Sequence, residues 1–503
     1  MDFLDPQKTK ARNRQLYLGY ALIGILILLG TVILVYLSYG FGLSKEGKVY
    51  QNGLVYVSSQ PVGAAISVNS TSYGTTNKAL TLPSGQYLLK LNKTGYRPWQ
   101  RSINVDGATV QHFDYPLLIP AILTSSKMTN YATQPSLTLQ SPDRHWLIVQ
   151  QPGSLNDYQQ FDLNTLPLKA PTSFTLPVGL LSPSTGPVNS LKLVEWSTDN
   201  IHILLEHQTS SGFEYILLDR QTPASSINLN RNLNIPIGQM QIKLWDISKF
   251  NQYYVYDQTT KDLYTTKLSD SKLTLIIHSV LSYKSYGSNI ILYVSDSESD
   301  HSKVAVKVKD GKNIYTIRSL ISGSNYLVDL AQNNGNWFYV VASTIEGRAY
   351  VYENPVQSLQ ADPTQPLPPV DILKVEGVNF IAFSADTKNI LAENGVNIET
   401  YDNFANKNYS YVLPKTLDAP QANVEWMDGE RLTFVGANQA YILDYDGINL
   451  QKLVTNLATV PASFNQNYKY IYTISLATDK ASNGQAATGF NLNQTPLRLK
   501  ADL

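Results

Sequence analysis

The feature that most constrains the fold of this 503-residue chain is a repeat that begins at about residue 119. A polar turn precedes an apolar strand, and a second apolar strand follows after a loop. Eight such units start between residues 141 and 465, which gives a mean period of about 46 residues. The turns are Ser141–Arg144, Ser197–Asn200, Ser248–Asn251, Tyr286–Asn289, Asn333–Asn336, Ser384–Thr387, Met427–Glu430 and Asn465–Asn467.

This period, with strands and no helical segment, is typical of the four-stranded blades of a β-propeller. We therefore predict a mainly β chain whose residues 119–503 form a propeller of seven or eight blades, with eight favoured by the unit count. Two stacked β-sandwiches are the alternative, although they would not require matched units.

A second constraint is the uncharged apolar stretch Tyr17–Tyr39, 23 residues long. As a helix it would measure about 34 Å, against a hydrocarbon core of about 30 Å. The tail 1–16 carries Lys8, Lys10, Arg12 and Arg14, so the positive-inside rule places the N-terminus in the cytoplasm and residues 40–503 outside it. A cleaved signal peptide and a buried core helix are the alternatives; signal peptides have shorter apolar regions and a small-residue cleavage site. The prediction is a single-pass signal anchor in the cell membrane, over residues 17–39.

The region that follows is predicted to be a short linker, 40–52, and then a small β-sandwich, 53–118. Apolar residues alternate in Ala64–Val68, Tyr87–Leu91 and Trp99–Val105, which is the period of a half-buried strand. Turn residues containing proline and glycine separate these runs.

The motifs of this region are Pro61-Val62-Gly63-Ala64, then Gly74, then the turn Pro83-Ser84-Gly85, then Gly95-Tyr96. In this order they resemble a PEGA domain, with Val62 in place of the glutamate, so that no role of that acid is carried over. The resemblance implies an exported, surface or membrane-anchored microbial protein in which this domain is a structural or adhesive spacer. The residues that carry it are Pro61, Gly63, Ala64, Gly74, Gly85, Gly95 and Tyr96.

The turn Ser141-Pro142-Asp143-Arg144 resembles the strand-joining turn of TolB-type and related WD-like propeller repeats. Ser384–Thr387 and Ser197–Asn200 keep part of this pattern, in which Asp or Asn accepts backbone hydrogen bonds.

Tyr96 and Trp99 could form a stacking platform for a sugar, but aromatic pairs on small sandwiches are more often core residues. Two loop-like segments, 181–190 and the proline-rich 355–369, are expected between blades on one exposed face, where binding residues often lie.

Composition excludes several kinds of chemistry. Lys and Arg number 39 and Asp and Glu number 39, so the chain lacks the basic excess of nucleic-acid-binding domains. Without cysteine, disulfides and thiolate nucleophiles or ligands are excluded. The motifs of zinc peptidases, α/β-hydrolases and P-loop enzymes are also missing from the sequence.

No catalytic, cofactor-binding or metal-binding residue is predicted. The six histidines are scattered, and His202 and His207 point to opposite faces of one strand. Alternating acids in 296–300 and in 444–447 are compatible with calcium binding. The commoner interpretations are a solvated hairpin tip for the first segment and an Asp-Gly turn for the second.

Three functions remain open. The first is a membrane-anchored extracytoplasmic scaffold whose propeller binds a protein or a cell-envelope polysaccharide. The second is a glycan-active hydrolase or lyase with acids at the mouth of the axial channel, and the third is a structural surface-layer component. An enzyme requires converging titratable groups with shifted pKa values, whereas a binder is expected to show an exposed patch.

Overall fold

A computed structural model describes residues 6–38, 40–43, 49–165, 169–247, 249–287, 289–296, 300–362, 366–417, 423–477 and 488–503. The chain forms two compact units. Unit 1 comprises Met1–Ile122 with Arg498–Leu503, and unit 2 comprises Leu123–Leu497. The last six residues, which the sequence assigned to the propeller, therefore belong to the N-terminal unit.

The N-terminal helix is α1 (Pro6–Ser38). Its segment Asn13–Ser38 is long and apolar enough to cross a membrane, and its side chains are not buried by protein. An apolar helix at this position is thus confirmed, whereas its orientation is a proposal taken up below. Tyr39, the last residue of the predicted span, lies outside the described residues.

The rest of unit 1 is a sandwich of two four-stranded sheets. Its strands are β1 (Phe41–Leu43), β2 (Val49–Val57), β3 (Ala65–Val68), β4 (Thr71–Thr75), β5 (Lys78–Pro83), β6 (Gly85–Asn92), β7 (Trp99–Val105) and β8 (Val110–Phe113). One sheet has the order β1-β2-β5 with β8 parallel to β2, and the other has the order β4-β3-β6-β7. The core between them includes Val55, Leu82, Leu89 and Trp99, each at most 1% exposed. This confirms the predicted small β-sandwich.

Unit 2 consists almost entirely of antiparallel strands. The first half contains β9 (Ser126–Tyr131), β10 (Thr138–Gln140), β11 (Trp146–Gln150), β12 (Asp157–Asp162), β13 (Thr172–Thr175), β14 (Asn189–Trp196), β15 (His202–Thr209), β16 (Gly212–Asp219), β17 (Ile227–Asn228), β18 (Met240–Asp246), β19 (Lys249–Asp257), β20 (Asp262–Lys267), β21 (Thr274–Ile277), β22 (Val280–Tyr286), β23 (Ile290–Ser295), β24 (Lys303–Asp310) and β25 (Asn313–Ile321). The second half contains β26 (Tyr326–Asn333), β27 (Asn336–Ser343), β28 (Arg348–Glu353), β29 (Asp371–Lys374), β30 (Phe380–Phe383), β31 (Asn389–Asn394), β32 (Asn397–Asp402), β33 (Lys407–Val412), β34 (Glu425–Trp426), β35 (Arg431–Gly436), β36 (Gln439–Asp444), β37 (Gln451–Thr455), β38 (Ser463–Phe464), β39 (Tyr470–Leu476) and β40 (Phe490–Pro496).

The described strands of unit 2 form eight four-stranded sheets. Seven sheets use consecutive strands, from β10-β11-β12-β13 to β34-β35-β36-β37, and the last has the order β38-β39-β40-β9. Because β9 comes from the start of the unit and pairs with β40 at its end, the two ends of the unit meet in one sheet. Propellers close their ring in this way, which removes a free edge.

Apolar side chains fill the spaces between neighbouring sheets. Leu147 and Val149 of the first sheet share a buried cluster with Tyr472 and Ile474 of the last, so the core also closes into a ring. First strands of neighbouring sheets contact one another, for example β22 with β26, which places them closest to the axis. The predicted β-propeller is therefore confirmed.

The repeat units found in the sequence correspond to the second and third strands of these sheets. The predicted turns stand at the start of second strands, as Ser141–Arg144 precedes β11 and Ser384–Thr387 precedes β31. The turn predicted at Ser248–Asn251 is misplaced, since β19 already begins at Lys249. The first and fourth strands lie outside the predicted pattern.

Two predictions about segments of unit 2 are wrong. First, unit 2 contains two short α-helices, α2 (Leu229–Asn232) and α3 (Pro355–Ala361), although no helix was predicted there. It also contains a 3₁₀ turn at Pro223–Ser225, and unit 1 contains another at Lys500–Asp502. The segments 181–190 and 355–369 also lie at opposite ends of the strands. The first precedes and enters β14, between two sheets, whereas the second joins the third and fourth strands of one sheet.

Candidate binding face

The turns that open the repeat units lie on one face of unit 2, because each joins the first strand of a sheet to its second strand. In an antiparallel sheet, the connection from third to fourth strand emerges at the same end. We call this surface the turn face. Its turns contact one another: Asp143 N–H donates to Asn200 Oδ1 at 3.2 Å, and Thr198 N–H donates to Ile247 O at 3.0 Å.

Four of these turns share one backbone geometry. The N–H of the first residue donates to the carbonyl five residues later, at 2.8–3.2 Å, in Ser141–Trp146, Ser197–His202, Ser384–Asn389 and Asn465–Tyr470. The fourth residue of each has a φ between 54° and 60°, in Arg144, Asn200, Thr387 and Tyr468. Non-glycine residues adopt this left-handed conformation rarely, so the side chain at that position is held in a defined direction.

The side chain of Arg144 joins the turns of three sheets. Its guanidinium carbon lies 4.6 Å above the ring centre of Tyr468, and its Nη2 donates to the carbonyl of Met427. Its Nη1 is buried and has no hydrogen-bond partner among the described residues. Burial lowers the pKa of Arg144 from its ordinary value, although guanidinium groups remain charged in proteins. A cation is thus fixed where the first, seventh and last sheets meet.

Beside it lies a nearly buried ion pair. The Asp428 carboxylate bonds the Arg431 guanidinium, with side-chain exposures of 12% and 8%. Asp428 Oδ1 also accepts from the backbone N–H groups of Glu430 at 2.9 Å and Arg431 at 2.8 Å. This carboxylate both neutralises the arginine and closes the turn, as buried charges require.

Lys388 connects acids from two neighbouring sheets. Its ammonium lies 3.2 Å from Asp386 Oδ2 and 3.5 Å from Glu430 Oε1. Burial raises the pKa of Glu430 to about 7, and the negative charge of Asp386 also contributes. A Cβ at Gly429 would lie 2.4 Å from Asp386 Oδ2, so glycine is needed for this approach.

Two further glutamates lie on strands that these turns join, and Glu393 is at the end of its strand away from the turn. Glu425 in β34 is exposed to solvent, yet desolvation by the surrounding protein raises its pKa. Glu393 in β31 is fully buried and accepts only from Val424 N–H, at 3.2 and 3.3 Å, among the described residues. Burial, with the charge of Glu425, raises the pKa of Glu393 to about 8. We call Arg144, Asp386, Lys388, Glu425, Asp428, Glu430, Arg431 and Tyr468 the charged cluster.

Acidic and basic side chains also lie on the first strands of four consecutive sheets, β14, β18, β22 and β26. Glu195 Oε2 accepts from Leu244 N–H at 2.7 Å, and Lys284 Nζ lies 3.3 Å from Asp329 Oδ1. Burial lowers the pKa of Lys243 and raises that of Glu195, and the two charges attract each other. Since these strands lie closest to the axis, the inner wall of the ring is polar rather than smooth and uncharged.

In the described part of the chain, the histidines do not belong to any group of three or more potential metal ligands. His207 and Glu214 are fully buried, and His207 Nδ1 lies 2.8 Å from Glu214 Oε1. Burial favours a higher pKa for Glu214, but hydrogen bonds from His207, Ser182 and Asn228 outweigh it and lower the pKa to about 2. The Ser182 hydroxyl donates to the carboxylate rather than to His207, so this network fastens a loop to the sheet.

Calcium at the two acidic segments lacks support in the described residues. Asp444 accepts from Asn449 at 2.8 Å and Gly447 N–H donates to Asp444 O at 2.9 Å, which describes an ordinary turn. Residues 297–299 lie outside the described part of the chain, and Asp296 pairs with Lys261 at 2.9 Å. Within that part, no group of three or more His, Asp or Glu residues is arranged to hold a metal ion.

Tyr96 and Trp99, the possible sugar platform in unit 1, are packed inside the protein. Trp99 is 1% exposed and Tyr96 is 7% exposed, so neither ring offers a face to a sugar. Tyr96 Oη donates to Asp502 Oδ2 at 2.7 Å and accepts from Leu499 N–H at 2.8 Å. Gly95, with φ +82°, leaves room for Leu499, whose Cδ1 would lie 2.7 Å from a Cβ there.

The remaining motif residues sit in or beside turns. Left-handed φ values occur at Gly63, Gly74, Gly85 and Gly95. Ala64 is buried in the core, and Pro61 O accepts from the Ser59 hydroxyl at 2.7 Å.

Comparison with known protein families identifies one domain, which lies within unit 1. Residues 52–119 match the PEGA domain family. A search of curated proteins found no match.

Solved structures similar to this chain include several propellers, and three of them illustrate the range. The Dos1 propeller is 12% identical, with a TM-score of 0.44, over 75% of this chain and 96% of that one. The β-propeller domain of Cps50 (Swd1) from Myceliophteria thermophila is 12% identical, with a TM-score of 0.38, over 62% and 96%. Oligogalacturonate lyase from Vibrio parahaemolyticus is 10% identical, with a TM-score of 0.36, over 76% and 93%.

The sequence predicted the turns of the charged cluster but not the cluster itself. One signal was available: a basic residue stands three or four positions after the start of four turns, at Arg144, Lys388, Arg431 and Lys469, and the first three of these belong to the cluster. Which acids and rings they meet depends on the ring closure, which brings Arg144 to Met427, 283 positions away, and to Tyr468 at the other end of unit 2.

Proposed function

We propose that this chain is a single-pass membrane protein that holds its propeller outside the cytoplasm as a binding scaffold, with a protein or a cell-envelope polysaccharide as its partner. The observation that best supports this is the charged cluster. Charges from the turns of three sheets are paired with one another or with the ring of Tyr468 from a fourth, so the turn face presents a fixed polar surface. Such surfaces give specificity and steer partners electrostatically.

The order of the N-terminal helix and the PEGA-like domain along the chain supports this function. An anchor confines the propeller to the membrane surface, and the PEGA-like domain acts as a spacer after the linker. Confinement raises the effective concentration of the propeller toward partners that are also held in the envelope.

The orientation can be tested directly because the chain contains no cysteine. Single cysteines at Thr9→Cys and at the exposed Ala405→Cys serve as reporters in intact cells. We expect a membrane-impermeant maleimide to label only Ala405→Cys, and to label Thr9→Cys after lysis. Labelling of Thr9→Cys alone in intact cells would reverse the proposed topology.

The binding face can be tested with a photo-crosslinking amino acid. Phe404, 91% exposed, lies on the turn face between β32 and β33, and Val178, 101% exposed, lies at the opposite ends of the strands between β13 and β14. We expect crosslinked adducts from position 404 and few from position 178. Equal yields, or adducts at 178 alone, would refute binding on the turn face.

A glycan-active hydrolase or lyase is the second candidate, and one observation favours it. Glu425 is accessible and burial raises its pKa, while the pKa of Glu430 is raised to about 7, and a carboxyl group with a raised pKa is suited to general acid catalysis. Purified protein incubated with envelope polysaccharide should then release new chain ends. Loss of that release in both Glu425→Gln and Glu430→Gln would support the enzyme, whereas polysaccharide bound without cleavage supports the scaffold.

A further inference from the structure

A second feature of the turn face is a cavity between the third and fourth sheets, with a volume of about 360 Å³. Trp245, Gln252 and Thr265 contribute from the sheet β18–β21, and Asn289 and Ile291 contribute from the sheet β22–β25. Ligand pockets in proteins have volumes of about 300–1,000 Å³, so this cavity accommodates a small molecule or one unit of a polymer.

The charge of this cavity is positive. Its lining includes Lys267, Lys272 and Lys309, against a single carboxylate, that of Asp270. Lys309 Nζ donates to the carbonyl of Gly311, also in the lining. Lys267 and Lys272 are exposed and form no ion pair or hydrogen bond through their ammonium groups in the described part of the chain. We call these three lysines, with Trp245 and Tyr254, the lysine pocket.

The remaining lining shows how a ligand would be held. Trp245, Tyr254, Ile276 and Ile291 form an apolar wall, while threonine and amide side chains provide neutral polar groups. Lysines direct up to three N–H donors each at an acceptor, and they bind oxyanions with charge-assisted hydrogen bonds. The two unpaired ammonium groups of Lys267 and Lys272, beside an apolar wall, match a ligand that carries a negative charge on a ring or carbon skeleton.

We propose that the lysine pocket binds the carboxylate or phosphate group of an anionic saccharide unit. The proposal deepens the binding function above, since it names the chemistry that a polysaccharide partner would present to the turn face. It does not depend on the membrane orientation or on the charged cluster, which involves other sheets.

The test uses the full-length protein in detergent micelles and three soluble probes: glucuronate, inorganic phosphate, and glucose as the neutral control. Binding is measured by isothermal titration, and tryptophan fluorescence provides a second readout because Trp245 lines the cavity. The variants are Lys267→Ala with Lys272→Ala, and Lys303→Ala as the matched control. Lys303 is also an exposed lysine, at the opposite end of the strand that carries Lys309.

We expect glucuronate or phosphate to bind and glucose not to bind. The double variant should weaken binding at least tenfold, while Lys303→Ala should change it less than twofold. Tighter binding of glucuronate identifies a carboxylate ligand, and tighter binding of phosphate identifies a phosphorylated one. Equal binding of all three probes, no binding of either anion, or equal losses in double variant and control would overturn the proposal.

A separate outcome distinguishes this proposal from the proposed function. If the anions bind in the lysine pocket but neither envelope polysaccharide nor a protein is captured on the turn face, the pocket stands and the scaffold function fails. Thermal unfolding of each variant checks that the exposed substitutions leave the fold intact.

Discussion

The turn face contains two groups of charged side chains, one paired and nearly buried and the other exposed and without charged partners. In the charged cluster, Asp428 and Arg431 are nearly buried and bonded to each other, and Lys388 lies between two acids. In the lysine pocket, Lys267 and Lys272 are exposed and have no charged partner among the described residues. Burying a charge is costly unless it is paired, whereas an exposed lysine is well solvated. We infer that the pairing within the first group stabilises the ring and fixes the polar surface of the turn face, and that the lysines of the second group are available to a small anionic ligand.

The largest expected effect concerns Glu393, the buried acid beside the charged cluster. Its pKa is raised from an ordinary 4.5 to about 8, so the folded state binds a proton that the unfolded state releases. Stability therefore falls as pH rises from about 4.5 to about 8, and below this window the group has no effect. We expect Glu393→Gln to increase the free energy of unfolding at pH 9 by on the order of 4–5 kcal/mol and to change little at pH 4.

Chemical denaturation at pH 4, 7 and 9 measures this difference. The exposed Glu376→Gln is the matched control and should show no such pH dependence. A Glu393→Gln variant that gains no stability at pH 9 would mean that Glu393 ionises freely in the folded protein.

The next largest effect is expected from Asp428→Ala. It removes the carboxylate that pairs with the Arg431 guanidinium and accepts from two backbone N–H groups, in nearly buried surroundings. Removing one partner of a buried pair costs about 3–5 kcal/mol of unfolding free energy. The comparison is Asp270→Ala: this exposed residue lines the same cavity as the lysine pocket, and its substitution should change stability by no more than about 0.5 kcal/mol. Similar losses in the two variants, measured by thermal unfolding, would remove the contrast between the two regions.

A smaller effect is expected from Arg144→Met, which keeps the length of the side chain but removes its charge. The variant loses the stacking on Tyr468 and the bond to the Met427 carbonyl, together worth about 1–3 kcal/mol. The buried Nη1, which has no partner among the described residues, offsets part of that loss. We therefore expect a decrease of about 1–2 kcal/mol. Arg144→Lys should not restore the stability, because an ammonium cannot both stack and donate in a planar geometry.

Comparison of strands shows what could be predicted from the sequence. The second and third strands were predicted because they are flanked on both faces by neighbouring sheets, which requires apolar runs such as Ile203–Leu205. The first and fourth strands were missed because several are very short, such as β34 and β38, which have two residues each. Two residues carry no periodicity. Helix α3 was missed because the prolines of its segment favour a loop, yet Pro355 stands at a helix start, where proline is well accommodated.

The candidate sites were less predictable than the fold. The turn at Ser141 was predicted correctly, but the partners of Arg144 come from Met427 and Tyr468, more than 280 positions away. The lysine pocket combines residues from two sheets whose fourth and first strands were not predicted. A local pattern cannot indicate such a site, because the ring places its parts together.

The smallest expected effect concerns Lys→Met substitutions in the two groups of charges. The free energy of unfolding should fall in the charged cluster but stay unchanged or rise in the lysine pocket. Lys388→Met removes the charge that neutralises Asp386 and Glu430, and since Lys388 is half exposed we expect a loss below about 1 kcal/mol. Lys272→Met removes one of three like charges around a cavity, so we expect no loss or a gain of a few tenths of a kcal/mol. Added salt should reduce both effects by screening. Urea denaturation at low and high salt resolves them, and a salt-sensitive loss in Lys272→Met would show that this lysine has a structural partner.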